Sequence, residues 1–223
     1  MAITLPPSRI LGDSGHVTDN ATIRTALSDL DTAVATKAPS ASPTFTGTVT
    51  LTGATVVGLS SGMTYITSGS CSAAGSLSIN NCFTSTYENY RILLDVVLGS
   101  GSGNLNLKFR ASAADNSNAN YNYSQLEASN TTVSGSRVTG ATSARLTYLA
   151  ANDLATVAVD VFGPQLSRAT VFSALGTESL SLIGSNFMTG AFTAATAFDG
   201  FSLIPASSTI TIAACRVYGY KNS

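Results

Sequence analysis

The chain has 223 residues, only 10% of them charged, and a formal net charge of -1. Ser and Thr together supply roughly a quarter of positions, well above ordinary globular usage, and the lack of a basic excess that could displace counterions from phosphates argues against a nucleic-acid partner. No segment approaches the ~20 apolar residues of a membrane span, and the opening MAITLPPSR lacks the basic and apolar parts of a secretory signal, so the sequence predicts synthesis in a cytoplasm with no membrane insertion.

Residues 1–17 are punctuated by Pro and Gly, and their apolar positions Ile3, Leu5, Ile10 and Leu11 follow no steady period. They read as an extended arm that cannot bury itself locally and either packs on its own domain or, the favoured reading, docks on another protein. Residues 18–37 read as a helix capped by Thr18 or Asp19, whose side-chain oxygen can accept from the amides of the first turn. Ile23, Leu27, Leu30 and Val34 are spaced four, three and four apart, the seam of a coiled coil. So short a helix is marginal alone in water. It needs a partner or its own domain, and three strands are allowed.

Pro39 and Pro43 lack amide donors and restrain the residues before them to extended backbone, so the helix is expected to stop near Lys37. From Thr44 onward every even position to Thr52 is threonine, while Phe45, Val49 and Leu51 fall on the odd face. That strict period of two predicts, over residues 38–62, a β stalk of three copies with its apolar edges inward. An edge strand of the following domain is the alternative.

Residues 63–223 alternate short β-like runs with Gly, Asn and Ser clusters and show no convincing helix. Tyr90, Ile92, Leu94, Val96 and Leu98 share one face of a strand, and Leu105, Leu107 and Phe109 alternate with Asn106, Lys108 and Arg110. Further strands are expected near Ile66 and over 76–83, 121–128, 144–149, 156–162, 180–187, 198–204 and 208–220. About ten strands at this spacing indicate an antiparallel sandwich of jelly-roll type. The predicted class is therefore mainly β, a sandwich preceded by a short trimeric coiled-coil helix and a β stalk.

The chemistry-bearing residues are sparse. Gly12, Asp13, Ser14 and Gly15 match the nucleophile string of trypsin-like proteases, but only eleven residues precede them and the sole histidine, His16, is their neighbour. One histidine and three scattered cysteines offer no zinc spacing, and the oxygen-rich run from Asp115 to Asn120 lacks the terminal Glu of an EF-hand. No metal, cofactor or enzymatic activity is expected. Asp95, Glu127, Asp153, Asp160 and Glu178 would have to pair for glycan cleavage, and no pairing is visible. Cys71 and Cys82 could face each other across a hairpin; small buried thiols are the other reading. Asn118, Asn120, Tyr121, Asn122 and Tyr123 form a polar-aromatic string suited to glycan contact, because tyrosine rings stack on sugar faces and amides bond hydroxyls. The same residues are ordinary at hairpin ends.

Residues 41–49, ASPTFTGTV, resemble a linker motif of tailed-bacteriophage tail fibres, where it is often repeated. Residues 198–220, FDGFSLIPASSTITIAACRVYGY, resemble the closing hairpin of small β domains in phage minor tail and fibre proteins, and residues 87–94, YENYRILL, an early strand of the same domain. The resemblance implies a parallel homotrimer on the virion surface, anchored to other virion proteins by its N-terminus, with a C-terminal head for host attachment. One linker copy implies a short projection, on the tail or, alternatively, on the capsid as a head fibre or decoration protein.

Overall fold

The computed structural model describes residues 23–30, 32, 62–129, 131–177 and 184–221. The chain divides into two compact units, Met1–Val57 and Gly58–Ser223. In the first, residues 23–30 and 32 are helical, and every described residue there is exposed. Ile23, Leu27 and Leu30 are thus bare in the single chain. Val34, the stalk positions Phe45, Val49 and Leu51, and the arm positions Ile3, Leu5, Ile10 and Leu11 lie outside the described residues.

The second unit is an antiparallel β-sandwich. Its strands in chain order are β1 (Met63–Ala74), β2 (Leu77–Ile79), β3 (Asn89–Leu98), β4 (Gly103–Ala111), β5 (Ala114–Asp115), β6 (Tyr121–Ser129), β7 (Thr132–Ala141), β8 (Ala144–Leu149), β9 (Leu154–Phe162), β10 (Thr170–Thr177), β11 (Ser185–Phe192), β12 (Gly200–Pro205) and β13 (Ile210–Tyr220). The larger sheet runs β1-β13-β3-β9-β10-β11-β6-β7; the smaller runs β2-β12-β4-β5, with β8 on β4.

Strict alternation builds the core, because successive strand side chains point to opposite faces. Tyr90, Ile92, Val96 and Leu98 of β3 and Val159 and Val161 of β9 turn inward against Leu105, Leu107 and Phe109 of β4 and Phe201 and Leu203 of β12, all fully buried. Each such side chain contributes about 1.5–3 kcal/mol by leaving water. Phe109 stacks on Tyr121 and Phe198 and meets Phe172 edge-on, which ties the two sheets at their centre.

Two buried tyrosines pin loops through their hydroxyls. The Tyr90 hydroxyl accepts from the Thr84 amide and donates back to the same loop. The Tyr121 hydroxyl accepts from the Phe109 amide at 2.8 Å and donates to the Asn116 carbonyl at 3.1 Å. An ion pair crosses between the sheets, from Arg145 on β8 to Glu127 on β6.

The structure differs from the sequence reading at β7, β10 and β11. The first two were not expected, and the third begins five residues later than the predicted 180–187. The cysteine alternatives also resolve. All three thiols are free; Cys71 sits on β1 opposite Ile212, while Cys82 follows β2 and is buried with Cys215. No cross-hairpin disulfide forms, because Cys71 pairs along β13 rather than toward Cys82. Burial pushes the Cys82 and Cys215 thiols up to about 12.

Candidate functional site

The Asn–Tyr string is divided rather than assembled. Tyr121 is fully buried, and Tyr123 packs against the core from the same face of β6. Asn122 points to the opposite face, where its Oδ1 accepts the Gly140 amide at 2.7 Å. Asn120 gives its carbonyl to Thr193, and Asn118 donates its amide to Asn116 Oδ1 in an Asx turn. Tyr121 is therefore corrected from a candidate glycan contact to a core anchor. The Tyr121 ring was misassigned because a strand presents alternate residues to opposite faces, and this ring took the inner one; Tyr123 is only partly buried.

Register also fixes where this loop lies. Met63 at the start of β1 is opposite Tyr220 at the end of β13, and the Lys221 amide donates to the Gly62 carbonyl, so the sandwich's chain enters and leaves at one end. The row Gly219, Tyr90, Val161, Phe172, Gly190 and Tyr123 runs across the sheet next to that end. Tyr121 lies nearer still to that end, which puts the loop carrying Asn118 at the end where the chain enters, six strands across the sheet from β1.

Three of the loops at the opposite end, 99–102, 150–153 and 206–209, are cross-tied: Gly99 donates to the Thr209 carbonyl, Asn152 to the Leu98 carbonyl, and the Ser207 hydroxyl to the Ser102 carbonyl. The GSGSG run from Gly99 to Gly103 is thus held rather than free. A side chain at Gly99 would meet the Thr209 hydroxyl at 2.7 Å. The loop surfaces offer Ser100, Ser102, Asn152, Ser207 and Ser208, all exposed, a neutral set of hydroxyls and an amide. Sequence reading treated these stretches only as turns, because nothing local tells which loops share an end.

The most unusual surface is the outer face of the larger sheet. Leu126, Phe187, Leu175, Ala158 and Leu93 stand opposite one another on β6, β11, β10, β9 and β3. A second row runs through Ala191, Val171 and Phe162. Between them lies a polar row in which Asp160 pairs with Arg91 at 3.7 Å and accepts from the Tyr220 hydroxyl at 2.6 Å. The hydrogen bond with the Tyr220 hydroxyl and the charge of Asp160 raise the Arg91 guanidinium against the opposing effect of its burial, while burial and the hydrogen bond to Asp160 hold the Tyr220 phenol above its ordinary value. Among the described residues of the sandwich, every exposed large hydrophobic except Leu166 belongs to this sheet's outer side. A shallow depression of about 450 Å³ there is walled by Leu93, Asp95, Thr156, Leu175, Thr177 and Arg216.

Asp160 and Glu127 are each held by an arginine, and Glu178 lies outside the described residues. Among the described residues, no group of three His, Cys, Asp or Glu converges as a metal site.

Fold and surfaces together define an antiparallel β-sandwich with one apolar outer sheet face. No family model matches the chain, and no curated protein matches it. Among solved structures, a galectin of Caenorhabditis elegans is similar with a TM-score of 0.34 and 8% identity, over 70% of this chain and 95% of that one.

Proposed function

We propose that the chain is a short homotrimeric fibre on the surface of a tailed-bacteriophage virion, made in the host cytoplasm and anchored by its N-terminal arm. The observation that carries this reading is the bare seam of the helix, where Ile23, Leu27 and Leu30 are 42%, 59% and 45% exposed. A helix this short does not persist alone in water, and an apolar seam at coiled-coil spacing is satisfied by copies of itself. The ASPTFTGTV motif behind it, and a strand-rich unit after it, agree with that order.

Host attachment then falls to the end of the sandwich away from Gly62, whose neutral hydroxyls and amide suit glycan hydroxyls without desolvating charge. Sedimentation or light scattering on the full chain is expected to give a trimer. A monomer at high concentration refutes the fibre. Gold-labelled antibody on intact particles separates a tail fibre from the alternative, a capsid head fibre or decoration protein. Binding to host cells or a glycan panel tests attachment, and loss of binding on Asn152→Asp with Ser207→Asp is the expected result.

A further inference from the structure

We infer that the outer face of the larger sheet is where copies of the sandwich pack on one another, an inference that rests on the trimer proposed above. Leu175, Phe187 and Leu126 are 59%, 51% and 52% exposed in the single chain, yet they form one continuous row with Ala158 and Leu93. Monomeric proteins rarely leave contiguous apolar patches above a few hundred Å² in water.

The patch is large enough to form part of a subunit contact. Five strands at ~4.8 Å spacing, taken with side-chain width, span roughly 24 Å, and the two rows, four residues apart, take up roughly 18 Å along the strands on the same reckoning. That footprint of about 430 Å² in projection is about half of the ~800 Å² per partner of a stable interface, so it adds to the helix seam that the same copies would share. Its anatomy agrees as well. The rows themselves carry no charge, the pair Arg91 and Asp160 between them is already matched within the chain, and Asp95, Arg216 and Arg137 stand toward the margins. Apolar rows flanking a polar strip whose charge pair is matched within the chain leave no unpaired charge there when a second copy covers the face. A second copy is favoured over a glycan because the rows offer leucines and phenylalanines where a sugar needs convergent hydroxyl partners.

The test uses the full chain with Phe187→Cys and, separately, Ala206→Cys on an exposed loop, each followed by maleimide labelling. Cys82 and Cys215 are buried, and the wild-type chain measures the background from Cys71. The expected result is a trimer in which the thiol introduced at position 187 labels at least tenfold more slowly than that at 206. Adding Leu175→Asp is expected to raise the rate at 187 by at least tenfold. A trimer with equal rates at both sites overturns the face assignment and leaves the fibre reading standing. A monomer overturns both, and protection in a monomer assigns the face to a segment of the same chain. Protection seen only on intact particles assigns it to another virion protein, which also overturns the inference.

Discussion

Replacing Tyr121 by Phe separates a structural anchor from a ligand contact, because it removes one oxygen and leaves the ring. The ring is fully buried, and its hydroxyl satisfies the Phe109 amide at 2.8 Å and the Asn116 carbonyl at 3.1 Å. The Phe109 amide points away from β12 toward the turn, where the Tyr121 hydroxyl is the partner found for it. Stranding that buried donor costs about 1–3 kcal/mol, and the half-buried carbonyl adds about 0.5–1 kcal/mol. The sum is about 1.5–4 kcal/mol. For a unit of this size each kcal/mol moves the melting point by roughly 2–4 °C, so a loss of about 3–16 °C is expected. Urea unfolding followed by far-UV circular dichroism, at one fixed protein concentration, reads the same quantity. Stability within about 0.5 kcal/mol of wild type would refute the anchor and return Tyr121 to the surface.

Other outcomes follow from equally local features. At Gly200 a Cβ would lie 2.2 Å from the Ile79 carbonyl oxygen, so Gly200→Ala forces β2 and β12 apart; a loss of about 2–3 kcal/mol in the same urea assay is expected. The buried Cys82 and Cys215 stay protonated to about 12, whereas unfolded thiols ionise from about 9. The unfolded chain therefore binds fewer protons across that window. Stability is expected to fall as pH rises from about 9 toward 12, by at most about 1.4 kcal/mol per pH unit per thiol, and Cys82→Ala in urea titrations at pH 8 and 10 should flatten the slope. Leu27→Asp, at a position already 59% exposed, is expected to leave the single chain folded and abolish the trimer, read by light scattering.

Much of the sandwich was legible because β3, β4 and β9 alternate cleanly between core and solvent. β10 was missed for the opposite reason. In TVFSALGT the inward Phe172 and Ala174 are flanked by outward Val171 and Leu175, so both faces are apolar and the period-two signal disappears. β11 slipped likewise, with Phe187 outward and Met188 inward. The surface that blurred the pattern is the one assigned above to subunit packing, so the failed reading and the unusual face have one cause. β7 failed differently, since TVSGSRVTGA is an almost wholly exposed edge with two glycines and buries nothing that could set a period. Amide and hydroxyl clusters are visible in a string, but which loops gather at one end depends on register over distant strands.

The antiparallel pairing of β1 with β13 also settles how the sandwich carries a load. Tension arriving at Gly62 while the far loops are held pulls β1 along its own axis past β13. The pairs from Met63 and Tyr220 to Ala74 and Ile210 then resist together in shear, whereas strands pulled apart from a hairpin end would lose their bonds one at a time. The bulges near Ile66, Ser70 and Ala73 divide that resistance into short blocks. A particle tethered through this unit would hold firmly under a steady pull and, once the first block slips, release stepwise rather than all at once.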